Sequence, residues 1–525
     1  MNSSKLVDED EPLFESLIND LFPNMDLAKV GHPNLEEAMD ATLEEECLIA
    51  HPTWMIKLIQ LYETQKVRHG IMVIGPSGAG KSKCITVLAK ALSRVDDVPI
   101  KEIKLNPKSI TDGQMFGKMD AATNDWSDGI FSSLWRKTMK LKKQVSWLIL
   151  DGPVDPNWIE NLNSVLDDNK ILTLANGDRL PMLQNMKLIF EPQNVDNASP
   201  ATVSRCGMVY MSSSGLDWKP LVANWIKKRK YQGRREQKLS QLFEKSFIDI
   251  YKFSTLNLKY VMKVLEVHVL HTLFTLLESL LPQDEGDEEM ASQSETKKSS
   301  SSKKDDDAEE NPIIDFQIEQ VYIFSLFWAV GGYLENSDRI LLQNYVAQYV
   351  QLSLPQLGEH DLFDYHFDTS VNEWIHWNKH MADYVAPEIN PQTYGGLLIP
   401  NVSSLRMNFL IDIISSLGDN VLLVGVQGSA KTSLINNYLR KHNNEEHAVM
   451  NRNFSSTTTP QIFQKSIESN VDKRMGNIFG PQVGKKLSMF VDDINIPEIN
   501  SWGDQPTNEF FRAVIEMKGF YSLGK

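Results

Sequence analysis

The sequence predicts an α/β chain: two units, each built on a doubly wound parallel sheet, with an α-helical region between them. Two observations predict it. The first is a coarse internal repeat, IMVIGPSGAGKS at residues 71–82 and NVLLVGVQGSAKT at residues 420–432, in which an apolar strand runs into a Gly-rich turn and an amphipathic helix. The second is the apolar strand ending in acid that follows each repeat: WLILDGPVD, with Asp151 placed 70 residues after Lys81, and LSMFVDDINIP, with Asp492 placed 61 after Lys431. Those spacings leave room for the intervening helices and strands of a doubly wound sheet.

Composition sets the frame for these elements. A chain of 525 residues is too long for one hydrophobic core, so two to four domains are expected. With 42% hydrophobic and 23% charged residues it reads as globular, and its net charge of −16 disfavours nucleic acid as a partner. Cys47, Cys84 and Cys206 are widely spaced, which fits a reducing, cytoplasmic compartment and argues against a disulfide framework or zinc site. The N-terminus lacks the basic and apolar regions of a signal peptide. The most apolar stretch, residues 261–281, carries Lys263, Glu266, His268 and His271 and reads as an amphipathic core helix; no membrane partner is expected.

Along the chain, the first unit occupies residues 27–215 and a helical region follows at 216–387. Its basic stretch KKRKYQGRREQK, residues 227–238, reads as a solvated helix face. Residues 282–312 hold no aromatic or branched aliphatic side chain and are expected to form a disordered acidic, Ser- and Lys-rich insertion. Helical patterning resumes at QVYIFSLFWAVGGYLE, residues 320–335, so the insertion interrupts one helical domain. His360, His366, His376 and His380 lack ligand spacing and read as ordinary surface or core histidines. Residues 388–525 start the second unit.

The Gly-rich turns carry the chemistry. In the first, the backbone of Gly75, Pro76, Ser77, Gly78, Ala79 and Gly80, proline's missing N–H aside, and the helix start behind it suit phosphate oxygens. Lys81 would reach the β and γ phosphates of ATP, or the β phosphate of ADP, and Ser82 would ligate Mg²⁺, with Asp151 holding that ion through a water. Hydrolysis needs a carboxylate to orient the attacking water, but Gly152 follows Asp151, and Asp155 lies three residues further on; ATP binding with little turnover is expected. In the second turn, Gly425, Val426, Gln427, Gly428, Ser429, Ala430, Lys431 and Thr432 take the corresponding places, with Asp492 beside the ion. Ala430 replaces a glycine, so its backbone either suits a Cβ or carries strain of about 1 kcal/mol. Asp493 stands in the water-activating place, one methylene short of glutamate, and is expected to be a weak base at best. In KLIFEPQNVDNASPATVSRCGMVY, residues 187–210, a strand leads to Gln193 and Asn194, the latter read as a γ-phosphate sensor, and Arg205 follows a short helix.

ENLNSVLDDNKILTLANGDRL, NASPATVSRCGMVYMSSS, QMFGKMDAATNDWSDGIFSSLWRK and DDINIPEINSWGDQPTNEFFR together resemble the AAA+ ring of dynein heavy chains, and GVQGSAKT with VDDINIP is similar to the axonemal branch. The resemblance covers nearly the whole chain apart from residues 282–312 and implies tandem AAA+ P-loop NTPase modules. It implies that residues 1–26 exit a preceding module, that 27–387 form the second ring module with its helical subdomain, and that 388–525 begin the third. It further implies that the second module binds ATP without effective hydrolysis and that Arg205 is an arginine finger serving the preceding module. The implied partners are the other ring modules, microtubules reached through a stalk, and intermediate and light chains, in the cytoskeleton of a cilium or flagellum. A regulatory nucleotide-binding module without turnover, and another ring remodeller such as midasin, are the alternatives.

Overall fold

The computed structural model describes residues 3–7, 9–23, 31–141, 143–212, 216–231, 233–281, 312–350, 352–355, 361–381, 399–442 and 445–522. The expected insertion at 282–312 lies outside them save for its last residue, as do the expected boundaries near residues 26, 215 and 387, and His360. Two compact units result, Met1–Pro220 with Asn443–Lys525, and Leu221–His442.

In the first unit, five strands make one parallel sheet: β1 (Gly70–Ile74), β2 (Ile100–Leu105), β3 (Val145–Leu150), β4 (Met186–Phe190) and β5 (Gly207–Tyr210), in the order β2-β3-β4-β1-β5. Parallel strands require crossover connections, and the helix α1 (Lys81–Val95) lies in the one that carries the chain from β1 to β2, two strands away in the sheet. The strands read as continuous apolar runs because both faces of the sheet are covered. Met72, Ile74, Leu148, Leu150, Leu188 and Phe190 join one core with Phe131, Trp135 and Trp158, while Ile71, Val73, Trp147, Ile149, Ile189 and Val209 join the other with Leu58, Leu61, Ile85 and Leu88. Alternate residues of each strand thus serve opposite cores. All five strands run the same way, so the residues that follow them, Gly75, Asn106, Asp151 and Glu191 among them, gather at one edge.

The Leu221–His442 unit is mainly helical. Helices α2 (Arg234–Asn257), α3 (Glu266–Leu280) and α4 (Pro312–Gly331) bury Phe243, Phe247, Leu273, Leu276, Tyr322 and Ile323, with the Phe243 and Tyr322 rings 5.1 Å apart. The stretch read as most apolar becomes α3, and among the described residues no helix is long and apolar enough to cross a membrane. His366 stacks on Trp377 at 4.4 Å, as a core histidine would.

Helices α5 (Val402–Ser416) and α6 (Lys431–Arg440) flank the second Gly-rich turn. The strand expected there at 420–424 does not form. Leu423 packs against Ile411, Leu434 and Tyr438, but Val421, Leu422 and Val424 are exposed. No ladder partner lies beside this segment among the described residues of its unit, and an apolar run without neighbours on its edges stays extended coil.

Residues 445–522 belong with the five-stranded sheet in the first unit. Here β6 (His447–Asn453) pairs in parallel with β7 (Lys486–Asp492), and helix α7 (Pro506–Met517) closes a core of Met450, Phe454, Phe463, Ile467 and Phe510. The second sheet is therefore two-stranded among the described residues, smaller than the doubly wound sheet expected.

Candidate nucleotide site

At the end of β1 the chain turns through Gly80, whose φ of 81° and ψ of 16° lie in the left-handed region that glycine adopts without a Cβ penalty. A Cβ there would sit 2.8 Å from Trp54 Nε1, so the loop and the indole are closely apposed. Lys81 opens α1 and folds back over the loop, its Nζ donating to the carbonyls of Gly75 at 2.7 Å and Pro76 at 3.0 Å. Burial lowers the Lys81 pKa, and the carboxylates of Glu191 and Asp151 oppose that shift.

Glu191, at the end of β4, is the residue missed in the sequence. Ser82 Oγ donates to Glu191 Oε1, while Glu191 Oε2 is buried without a partner. Burial, followed by the charge of Asp151, pushes its pKa up to about 7. The signal that could have found it is the one that found Asp151: an acid directly after an apolar run. Gln193 Nε2 donates to Ser77 Oγ at 2.9 Å, whereas Asn194 is exposed. The strand ends at Phe190, three residues before Gln193, which corrects its expected extent; Glu191 and Gln193 reach the loop.

Space beside Gly152 is tight. A Cβ on Gly152 would lie 2.7 Å from Asn106 Oδ1 and 3.3 Å from Pro107 Cδ. Asn106 is fixed in turn: its Oδ1 accepts from the Lys108 N–H at 2.9 Å and its Nδ2 donates to Glu509 Oε2 at 2.9 Å. The Asp155 carboxylate is engaged elsewhere: it caps the helix Pro156–Ile159 and pairs with buried Lys108, which also meets Asp504 at 2.6 Å.

Arg205 closes the helix Pro200–Arg205 and pairs through Nε with Asp167. Both side chains are partly exposed, so the pair is worth at most about 1 kcal/mol and exchanges readily.

The second loop repeats the first in detail. Lys431 Nζ donates to the carbonyls of Gly425 and Val426, both at 2.8 Å. Ala430 takes φ 60° and ψ 20°, the conformation Gly80 has, so its Cβ carries the strain foreseen above. Asp492 ends β7, and the exposed Asp493, with φ 55°, donates its backbone N–H to Asp492 Oδ1 at 3.0 Å. The Lys431 loop lies in the Leu221–His442 unit and these acids in the other.

The first loop fits a polyphosphate ligand. Beside Ala79, a cleft is lined by Trp54 and Lys57, whose Nε1 and Nζ are buried without hydrogen-bond partners. Among the described residues no cluster of three or more His, Cys, Asp or Glu could hold a metal alone. The oxygens of Ser82, Asp151 and Glu191 suit a hard cation whose remaining ligands come with the phosphates.

Four family models match the chain in succession: the hydrolytic ATP binding site of dynein motor region over residues 1–82, the dynein-related AAA domain over 70–206, the dynein heavy chain AAA lid domain over 239–379, and the P-loop containing dynein motor region over 388–525. Across its whole length the chain is 49% identical to dynein axonemal heavy chain 5 of Rattus norvegicus, 47% to dynein axonemal heavy chain 8 of Homo sapiens, and 43% to the flagellar outer arm dynein gamma chain of Chlamydomonas reinhardtii. The chain belongs to the dynein heavy chain family. It spans 14%, 11% and 11% of those three dyneins. The five-stranded sheet with its Gly-rich loop is the AAA+ P-loop fold that these dynein models describe.

Proposed function

We propose that this dynein segment is an ATP-binding part of a ring motor, in which the Lys81 site holds MgATP without turning it over and acts as a regulatory element. The observation that carries this reading is Gly152 itself, which offers no water-activating carboxylate and is closely packed by the Asn106 side chain. Lys81 would exchange its two carbonyl partners for β and γ phosphate oxygens. Ser82 and Asp151 are the residues that would hold Mg²⁺, which when bound offsets phosphate charge. Arg205, released from Asp167, would serve the nucleotide of a preceding module. The Lys431 loop, with Thr432, is proposed as a second nucleotide-binding loop with weak hydrolysis at best. The parent protein would be a microtubule motor of the ciliary or flagellar axoneme, working with intermediate and light chains.

The test is thermal unfolding with and without MgATP, beside steady-state phosphate release. Ligand-dependent stabilisation that is lost in Lys81→Ala, with negligible release, supports the reading. Turnover of several per second, abolished by Lys81→Ala, overturns it.

A further inference from the structure

Asp151 and Glu191 follow adjacent strand ends. Leu150 of β3 pairs with Phe190 of β4 in parallel register, and the Glu191 N–H donates to the Leu150 carbonyl at 3.0 Å. Phe190 points into one core, so Glu191 turns to the opposite face, the one α1 covers, where Ser82 in the first helical turn donates to its Oε1. Both carboxylates lie within electrostatic reach of Lys81. They differ in what faces them. Asp151 is partly exposed and has the Arg512 guanidinium of α7 at 3.5 Å from its Oδ1. Glu191 is only 6% exposed, and its Oε2 has no hydrogen-bond partner.

A buried carboxylate oxygen without a partner is costly, and in a native structure it calls for a ligand. Lys81 does not answer it, because Nζ donates to the carbonyls of Gly75 and Pro76 instead. A phosphate does not answer it either: the charges of Glu191 and Asp151 would act together against a triphosphate seated at Lys81. A divalent cation does, since it presents positive charge to carboxylate and phosphate oxygens alike. Ser82 is drawn into the same choice, because the hydroxyl expected beside Mg²⁺ is held by Glu191.

We propose that Glu191 makes nucleotide binding at the first loop conditional on a divalent cation. Without the ion, its carboxylate opposes the phosphates and keeps the Ser82 hydroxyl; with the ion, the same charge attracts the metal and releases that hydroxyl to it. The site thereby selects metal-bound triphosphate over the free anion, a discrimination that Ser82 and Asp151 alone would make more weakly. Glu191 is a binding residue in this role and takes no part in bond making. The proposal rests on the reading of the Lys81 loop as a nucleotide site.

The test is titration of the full 525-residue chain with a fluorescent ATP analogue, in excess magnesium and again in chelator, at pH 8, where the Glu191 carboxyl is mostly ionised. The unaltered protein is compared with Lys81→Ala, Glu191→Gln, Glu191→Ala and Glu191→Asp. A signal lost in Lys81→Ala reports the first site. Removing magnesium is expected to weaken binding to the unaltered chain about a hundredfold, and Glu191→Gln and Glu191→Ala should each cut that ratio about tenfold by binding metal-free nucleotide more tightly. Glu191→Asp keeps the charge and should keep most of the ratio. Manganese binding in the presence of the analogue, read from the paramagnetic resonance of the free ion, should weaken several-fold in Glu191→Gln. A merely structural role would change affinity equally with and without the ion; that result in the two neutral variants, or no change in either condition, overturns the proposal and leaves the nucleotide site standing. Absence of Lys81-dependent binding to the unaltered chain in magnesium overturns both.

Discussion

Asn106 Oδ1 lies 2.7 Å from where a Cβ on Gly152 would stand. A side chain at position 152 would press on the Asn106 carboxamide, which its own hydrogen bonds hold in place. Gly152→Glu is therefore expected to destabilise the first unit by about 1–3 kcal/mol through overpacking and to add no phosphate release. Combining it with Asn106→Gly should recover part of the loss, a non-additivity readable in denaturation of the four proteins of the cycle.

Glu191 gives a pH dependence of defined sign. Its folded pKa is raised from 4.5 to about 7, first by burial and then by Asp151. A carboxyl raised on folding contributes stability that is fully present below its unfolded pKa and lost as pH rises through the folded value. In Glu191→Gln, the decline of stability between about pH 5 and pH 8 should flatten, and the nucleotide-free protein should be more stable than the parent at the alkaline end. Denaturation in chelator across that range checks both.

Ala430 sits in the left-handed region with φ 60°. Ala430→Gly should relieve about 1 kcal/mol of backbone strain, slightly reduced by the greater unfolded-state freedom of glycine. Amide exchange in α6 is the local readout; protection should rise a few-fold there and remain unchanged in α1.

Arg205 pairs with Asp167 at a partly exposed site. Arg205→Ala should therefore change the stability of this chain by less than about 1 kcal/mol. Placed in an intact heavy chain, it should slow hydrolysis at the preceding module far more than it weakens ATP binding at Lys81. Equal loss at both sites would assign it a structural role.

The parts legible in the sequence are those set by local pattern. Apolar runs buried on both faces gave the strands carrying Asp151 and the P-loop, and left-handed backbone at Gly80 and Ala430 follows from position in the loop. What stayed hidden depends on neighbours distant in sequence. Asn106 precedes Gly152 by 46 residues, and Arg512 follows Asp151 by 361, so neither contact has a local signature. The strand expected at 420–424 failed for the same reason, since a parallel strand needs partners that its own sequence does not encode. The end of the strand before Glu191 was placed a few residues too late, because the polar residues that follow it carry no sharp stop signal.

Whether the Lys81 pocket keeps ATP intact is decided most directly by recovering the nucleotide from it. The purified chain would be loaded with labelled ATP and magnesium, freed of excess, held for many minutes, then quenched and its nucleotide separated. Label recovered mainly as ATP, and absent from Lys81→Ala, is the predicted result; label recovered as ADP at a Lys81-dependent rate would contradict it.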